Sequence, residues 1–229
     1  MRGKKNNLTE NEKLLNLLRT SDSFFPMGSF AMSQGMEQII NEDLLPKEKV
    51  AKIIKIYLEK IWKTFDLGIF YQALEAIEKK DIDLLKKIDE ICYSSKVTEE
   101  NRSAIVKMGR SMINATEFKD DTIGKTYRGL VKSDDAYGTY PVVLALVSVQ
   151  FSFKDLGALS LLYVNMMEVI ASLVRMGVID YIEAQKILID AVKSIQLKPL
   201  KLTDLHQTFP LADIASIRHE LSTSRMFMS

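Results

Sequence analysis

The sequence predicts an all-α fold, a single bundle of about ten helices with a C-terminal docking segment. Three observations carry this. Apolar residues recur at spacings of three and four almost throughout, and no stretch alternates as a strand would. Gly and Pro number only 10 and 5 in 229 residues, too few for a turn-rich β fold. Helix-start chemistry, a hydroxyl or carboxylate side chain ahead of an apolar run, appears at regular intervals.

The elements follow in order. Met1 to Asn7 is basic and polar, with no apolar run after it, so it is no secretory signal and residues 1–8 are expected to form a flexible N-terminus. Thr9 and Glu12 form a capping box ahead of Leu14, Leu15, Leu17 and Leu18. Pro26 and Gly28 break the chain in a loop from Thr20 to Gly28, after which Phe30 to Ile40 reads as a helix. Pro46 suits the first turn of the next helix. Val50, Ile53, Ile54, Tyr57, Ile61 and Phe65 share one face of a long helix. Leu67, Phe70, Tyr71, Leu74 and Ile77 continue it after a bend near Gly68.

Asp81 caps a short helix carrying Ile82, Leu85, Ile88 and Ile91. Thr98, followed by Glu99 and Glu100, starts another whose buried face holds Ile105, Met108 and Met112. Thr122 to Val131 is a short amphipathic helix, and Lys132 to Thr139 a polar loop. Pro141 begins a buried helix. The uncharged run from Ala136 to Phe153 just reaches spanning length, but its Gly, Pro, Ser and Gln content argues for protein burial over a membrane. Asp155 is expected to cap a helix apolar almost all round, which belongs at the bundle centre. Asp180 and Glu183 start the next. The bundle domain is therefore expected over 9–197, with 198–229 as linker and partner-docking segment. In that last segment Lys198 to Pro210 is the linker, and Ile214, Ile217 and Leu221 lie at helical spacing.

A length of 229 residues can bury roughly 70% of the extended surface in one core. Lys+Arg is 31 and Asp+Glu 30, so no global field attracts nucleic acid or an anionic membrane, and the cytoplasm is the default compartment. The catalytic inventory is thin. Cys92, the only cysteine, sits on an amphipathic helix as a small core residue would. Gly124-Lys125-Thr126 ends like a phosphate loop, but Lys119 stands where the first glycine must be and no strand precedes it. Asp81 and Asp83 resemble a calcium loop that Leu85 and Lys87 interrupt. His206 and His219 are the only histidines and the only tentative metal ligands. No cofactor is expected. The terminal segment is too apolar for a free tail, which points to docking onto its own bundle or into a partner.

Three segments resemble the urease accessory protein UreF family. In Asp22 to Glu37 the carriers are Pro26, Gly28, Phe30, Ser33, Gly35 and Glu37; further on they are Arg102, Ser103, Met108 and Gly109. At the end they are Pro210, Asp213, Arg218, His219, Glu220, Arg225, Phe227 and Ser229. Two positions depart from the family pattern. Thr139 replaces a histidine, and Arg175 to Tyr181 lacks the Pro, Gly and first Gln of the corresponding segment.

The resemblance implies a non-enzymatic, all-helical homodimer. It implies binding to UreD (also called UreH), recruitment of the GTPase UreG with possible modulation of its GTP hydrolysis, and nickel insertion into apo-urease. Pro210, Asp213, Arg218, His219, Glu220, Arg225 and Phe227 would then serve UreD/UreH binding. Gln34, Glu37 and Arg175 would contact UreG or support the loop. Two alternatives stand beside this reading: a metallochaperone that itself carries nickel, and a small helical enzyme with an unrecognised site, which would need a deep pocket holding a strongly perturbed acid or base.

Overall fold

Side chains that can bond their own backbone begin five of the helices in the computed structural model, which describes residues 8–44, 46–120 and 122–228. Thr9 and Glu12 make the reciprocal capping box that opens α1 (Glu10–Ser21). Asp81 accepts from the Leu84 amide to start α5 (Ile82–Ser94), and Thr98 from Asn101 to start α6 (Glu99–Asn114). Thr122 caps α7 (Ile123–Lys132) and Asp180 caps α10 (Tyr181–Lys193). Each such bond satisfies an amide that the helix itself leaves unpaired.

The described residues form helices and turns with no strand. Two apolar helices make the centre. In α8 (Tyr140–Gln150) every residue from Tyr140 to Ser148 is buried. The 22-residue α9 (Lys154–Arg175) packs against α1, α8, α10 and the helices between residues 36 and 79. By length and composition α9 could cross a membrane, but 72% of its apolar window is buried inside the bundle. Its cap differs from expectation. Phe153 occupies the N-cap without a side-chain bond, and Asp155 lies in the first turn, where its charge favours the helix dipole.

Two further expectations change. Phe30 to Ile40 is not one helix. A 3₁₀ turn over Ser29–Ala31 is followed by two residues in the left-handed region, Gln34 (φ 53°) and Gly35 (φ 81°), before α2 (Met36–Asn41) begins. The long helix from Val50 is widened in its middle. Between α3 (Val50–Tyr57) and α4 (Leu67–Lys79), Leu58–Asp66 is π-helical, just before the expected bend. This re-aims side chains so that both Trp62 and Asp66 turn inward.

The linker lies along that helix. The amides of His206 and Thr208 donate to Thr64 O (3.2 Å) and Lys60 O (3.2 Å), and Gln72 Nε2 donates to Leu200 O (2.9 Å). Leu205 sits so close to Gly68 that a Cβ there would overlap it. This course delivers the chain to α11 (Pro210–Leu221).

A buried carboxylate fixes the loop before α8. Asp89 accepts from the amides of Tyr137 (2.8 Å), Gly138 (2.9 Å) and Thr139 (2.8 Å), and from Thr139 Oγ1 (2.7 Å). The loop in turn presses on α6. A Cβ on Gly109 would lie 2.0 Å from Gly138 O, which gives the glycine at that position a steric reason. Gly129, on the exposed side of α7, meets nothing within 4 Å. Two alanine substitutions should therefore have opposite signs in thermal unfolding. Gly109→Ala is expected to destabilise by about 1–3 kcal/mol through overpacking, and Gly129→Ala to stabilise by about 0.5–1 kcal/mol through helix propensity. Equal shifts would contradict the packing described.

Candidate functional site

The site is built where the chain's end returns to its beginning. The Pro26–Gly35 loop places Glu37 in the first turn of α2, and Glu37 is only 4% exposed. Its carboxylate is filled by the C-terminal segment. Oε1 accepts from the Met226 amide at 2.7 Å, and Oε2 accepts from the Phe227 amide at 3.0 Å. Oε2 also lies 2.9 Å from His219 Nε2.

His219 is buried in α11, with its other ring nitrogen, Nδ1, 2.7 Å from Glu100 Oε2. Both nitrogens face carboxylate oxygens, each a hydrogen-bond acceptor. Arg225 donates to Glu100 Oε1. The cluster thus gathers two carboxylates, one histidine ring and one guanidinium, so each buried carboxylate has hydrogen-bonding partners. Outside it, Arg218 pairs with Glu42, and Glu220 Oε1 accepts from the Glu99 amide at 3.1 Å.

Arg175, at the end of α9, closes the other side. Its guanidinium carbon lies 4.7 Å from the Phe30 ring centroid and 4.5 Å from that of Phe227, while Nη1 donates to Phe30 O at 2.7 Å. A cation with an aromatic ring on each of two segments ties them together. Met228 N adds a bond to Ala31 O at 2.8 Å. Backbone contact is close too. A Cβ on Gly35 would lie 2.7 Å from Ser216 Oγ and 3.1 Å from Ala212 O, so glycine here serves both the positive φ and the approach of α11.

The expected site residues therefore gather, but onto their own bundle. Phe227 is 4% exposed with no partner chain present. Pro210 occupies the first turn of α11, and Asp213 faces a cavity beneath that helix. Gln34 supports the loop: its amide donates to Glu168 (2.7 Å), its Oε1 accepts from Trp62 Nε1 (2.9 Å), and its backbone carbonyl accepts from Tyr57 OH (2.6 Å). Arg175 does more than complement a helix dipole. Ser229 lies outside the described residues. His206 Nδ1 contacts only its neighbour's carbonyl, Asp204 O (3.0 Å), and the described residues hold no group of three or more His, Cys, Asp or Glu suited to a metal.

What docking leaves outside is apolar. Ile214, Ile217 and Leu221 lie on the outer face of α11, with Leu221 79% exposed, and Met226 (58%) and Met228 continue the surface beyond it. A second apolar patch is carried by Leu14, Leu15 and Leu18 on α1.

Sequence reasoning missed the partly open cavity between α11 and the bundle, about 100 Å³ in volume and lined by both polar and apolar side chains. Asp66 and Lys96 pair across it at 2.8 Å, and Asn165 Nδ2 donates to Asp66 at 3.2 Å. Burial pushes the Glu168 carboxyl up to about 8. Its periodic position on an otherwise apolar helix was the one available signal.

The model of the UreF family matches residues 46–192. The chain belongs to the UreF family. It is 30% identical over 226 residues to urease accessory protein UreF of Bacillus sp. (strain TB-90), covering 95% of this chain and 99% of that one. It is 26% identical over 223 residues to urease accessory protein UreF 2 of Brucella suis, covering 94% and 92%. The UreF protein of Trichodesmium erythraeum is 23% identical over 222 residues, covering 93% and 95%. These alignments run nearly end to end, so the UreF resemblance extends beyond the segment matched by the family model.

Glu37→Gln tests the cluster. It keeps the shape but replaces one acceptor oxygen by a donor facing an N–H. Hydrogen exchange at the Met226 and Phe227 amides should accelerate by about a hundredfold or more, with exchange in α8 unchanged. Unchanged exchange at both amides would contradict the assignment.

Proposed function

We infer that this chain is a urease accessory protein acting as a non-enzymatic scaffold. It binds UreD/UreH through the surface made by its docked C-terminal segment, and the joint complex recruits UreG for nickel insertion into apo-urease. The observation that carries this reading is the segment itself. The Met226 and Phe227 amides, Arg225 and the Phe227 ring turn inward to Glu37, Glu100 and Arg175, while Ile214, Ile217, Leu221, Met226 and Met228 keep their side chains exposed. An exposed apolar stripe ringed by polar groups is the signature of a protein-binding surface.

In this reading His219, Arg225 and Phe227 shape the UreD/UreH surface from beneath, and Leu221, Met226 and Ile217 make the contact. Arg175 holds both Phe30 and Phe227, so it supports the same surface as well as any UreG contact. The α1 patch of Leu14, Leu15 and Leu18 suits the homodimer that the family resemblance implies, and the cytoplasm is the proposed compartment.

The two alternatives gain less. Both ring nitrogens of His219 are already engaged, which leaves little for carried nickel. The cavity does contain a perturbed acid, as the enzyme alternative requires. However, Glu168 shares one oxygen with Gln34, and the nearest carboxylate, Asp66, is paired with Lys96, so no nucleophile–base pair is assembled.

Light scattering of the chain mixed with UreD/UreH tests the scaffold reading. Full-length protein should form the larger complex, and a chain ending before Pro210 should not. Leu221→Asp should weaken the complex by about tenfold or more while leaving the chain folded, because that side chain is solvated before binding. Undiminished binding by both variants would refute docking through the tail. Arg175→Ala should weaken UreD/UreH binding as well as UreG recruitment.

A further inference from the structure

Beneath α11 the bundle keeps a cavity of mixed polar and apolar lining that the tail covers in part. Its floor is Glu168 of α9 and Tyr140 of α8, and its cover is Gln207, Ala212, Asp213 and Ser216. Two buried polar atoms there have no hydrogen-bond partner among the described residues, Glu168 Oε1 and Tyr140 OH. Such atoms in a cavity of about 100 Å³ fit a small cluster of water, each molecule needing roughly 10–15 Å³.

The covering segment is held from the two sides by different chemistry. On the outer side are the Glu37, Glu100, His219 and Arg225 side chains. On the chamber side the charged and titratable groups facing Glu168 are Asp66 from the π-helical segment, Lys96 from the turn after α5, Tyr140 from α8, Tyr57 from α3 and Asp213 from α11. Lys96 pairs with Asp66, and among the described residues Glu168 has no ion pair of its own. A charged Glu168 under the closed segment would be a buried carboxylate with one oxygen unpaired among the described residues, in the field of the Asp66 carboxylate.

We propose that segment 207–216 is a proton-linked lid: it closes over Glu168 in the protonated form, and ionisation of Glu168 loosens it. The balance is one proton, taken from solvent onto a Glu168 oxygen as the lid closes and returned as it opens. The direction follows from burial. With the lid open, Glu168 is a solvated carboxyl with the ordinary glutamate value of 4.5; closed, burial first and Asp66 next push it up to about 8, against the Gln34 bond and Lys96. The closed lid is most stable at low pH, loses stability as pH rises from 4.5 to about 8, and is flat above. Burial also raises the Asp213 carboxyl, which acts in the same direction.

The test is amide hydrogen exchange on the full-length chain between pH 6 and 9, corrected for intrinsic rates, in wild type and Glu168→Gln. The amide of Thr208, bonded to Lys60 O, reports the lid. Wild-type protection should fall more steeply than that of the variant by roughly tenfold per pH unit below 8, with the two profiles parallel above it. The amide variant mimics the protonated acid and leaves every other side chain in place, so the difference isolates Glu168. Parallel profiles throughout overturn the proposal. Independently of any variant, the Glu168 side-chain carboxyl carbon should titrate in wild-type protein with a midpoint above about 6. A midpoint at or below that also overturns it.

Discussion

A single buried carboxylate joins the two ends of this chain. Glu37 sits at the start of α2, where its charge favours the helix N-terminus, and it accepts two consecutive amides of the C-terminal segment together with a histidine N–H. Charge-assisted bonds of this kind are worth more than neutral ones, and leaving a buried carboxylate without them is costly. The tail's path, the burial of Phe227 against Arg175 and the outward stripe on α11 all follow from meeting that demand.

Most of the fold was legible because its determinants are local. Thr9, Asp81, Thr98, Thr122 and Asp180 cap helices through bonds that reach two or three residues, so the sequence displays them directly. The uniform apolarity of α8 and α9 gave the centre of the bundle for the same reason. Where local patterns were ambiguous, tertiary demands decided. The Phe30 to Ile40 helix is broken because Gln34 must reach Tyr57, Trp62 and Glu168 at once, which takes a left-handed residue that helix periodicity does not reveal. The widened turn at Leu58–Asp66 keeps an apolar spacing close to that of an ordinary helix, so it was invisible as well.

The site was half legible. The resemblance singled out Glu37, Arg175, His219, Arg225 and Phe227, and these residues do meet. What the sequence could not supply is that they meet one another: Glu37 and Phe227 are 190 residues apart, and no local rule connects them. Two groups escaped altogether. Asp89 anchors a loop 48 to 50 residues away, and Glu168 shares a cavity with residues from several distant parts of the chain. Both are single polar residues on helix faces, a pattern that solvated positions share, and only burial distinguishes them.

The central claim is that the isolated chain folds its tail onto its own bundle before any partner arrives. The most direct measurement is a dipolar distance between spin labels at Ser224 and Ser103 in the isolated protein, diluted with unlabelled chains so that only distances within one molecule count. One narrow, short distribution is the result this account predicts. A broad distribution reaching the lengths of an extended, untethered segment would contradict it.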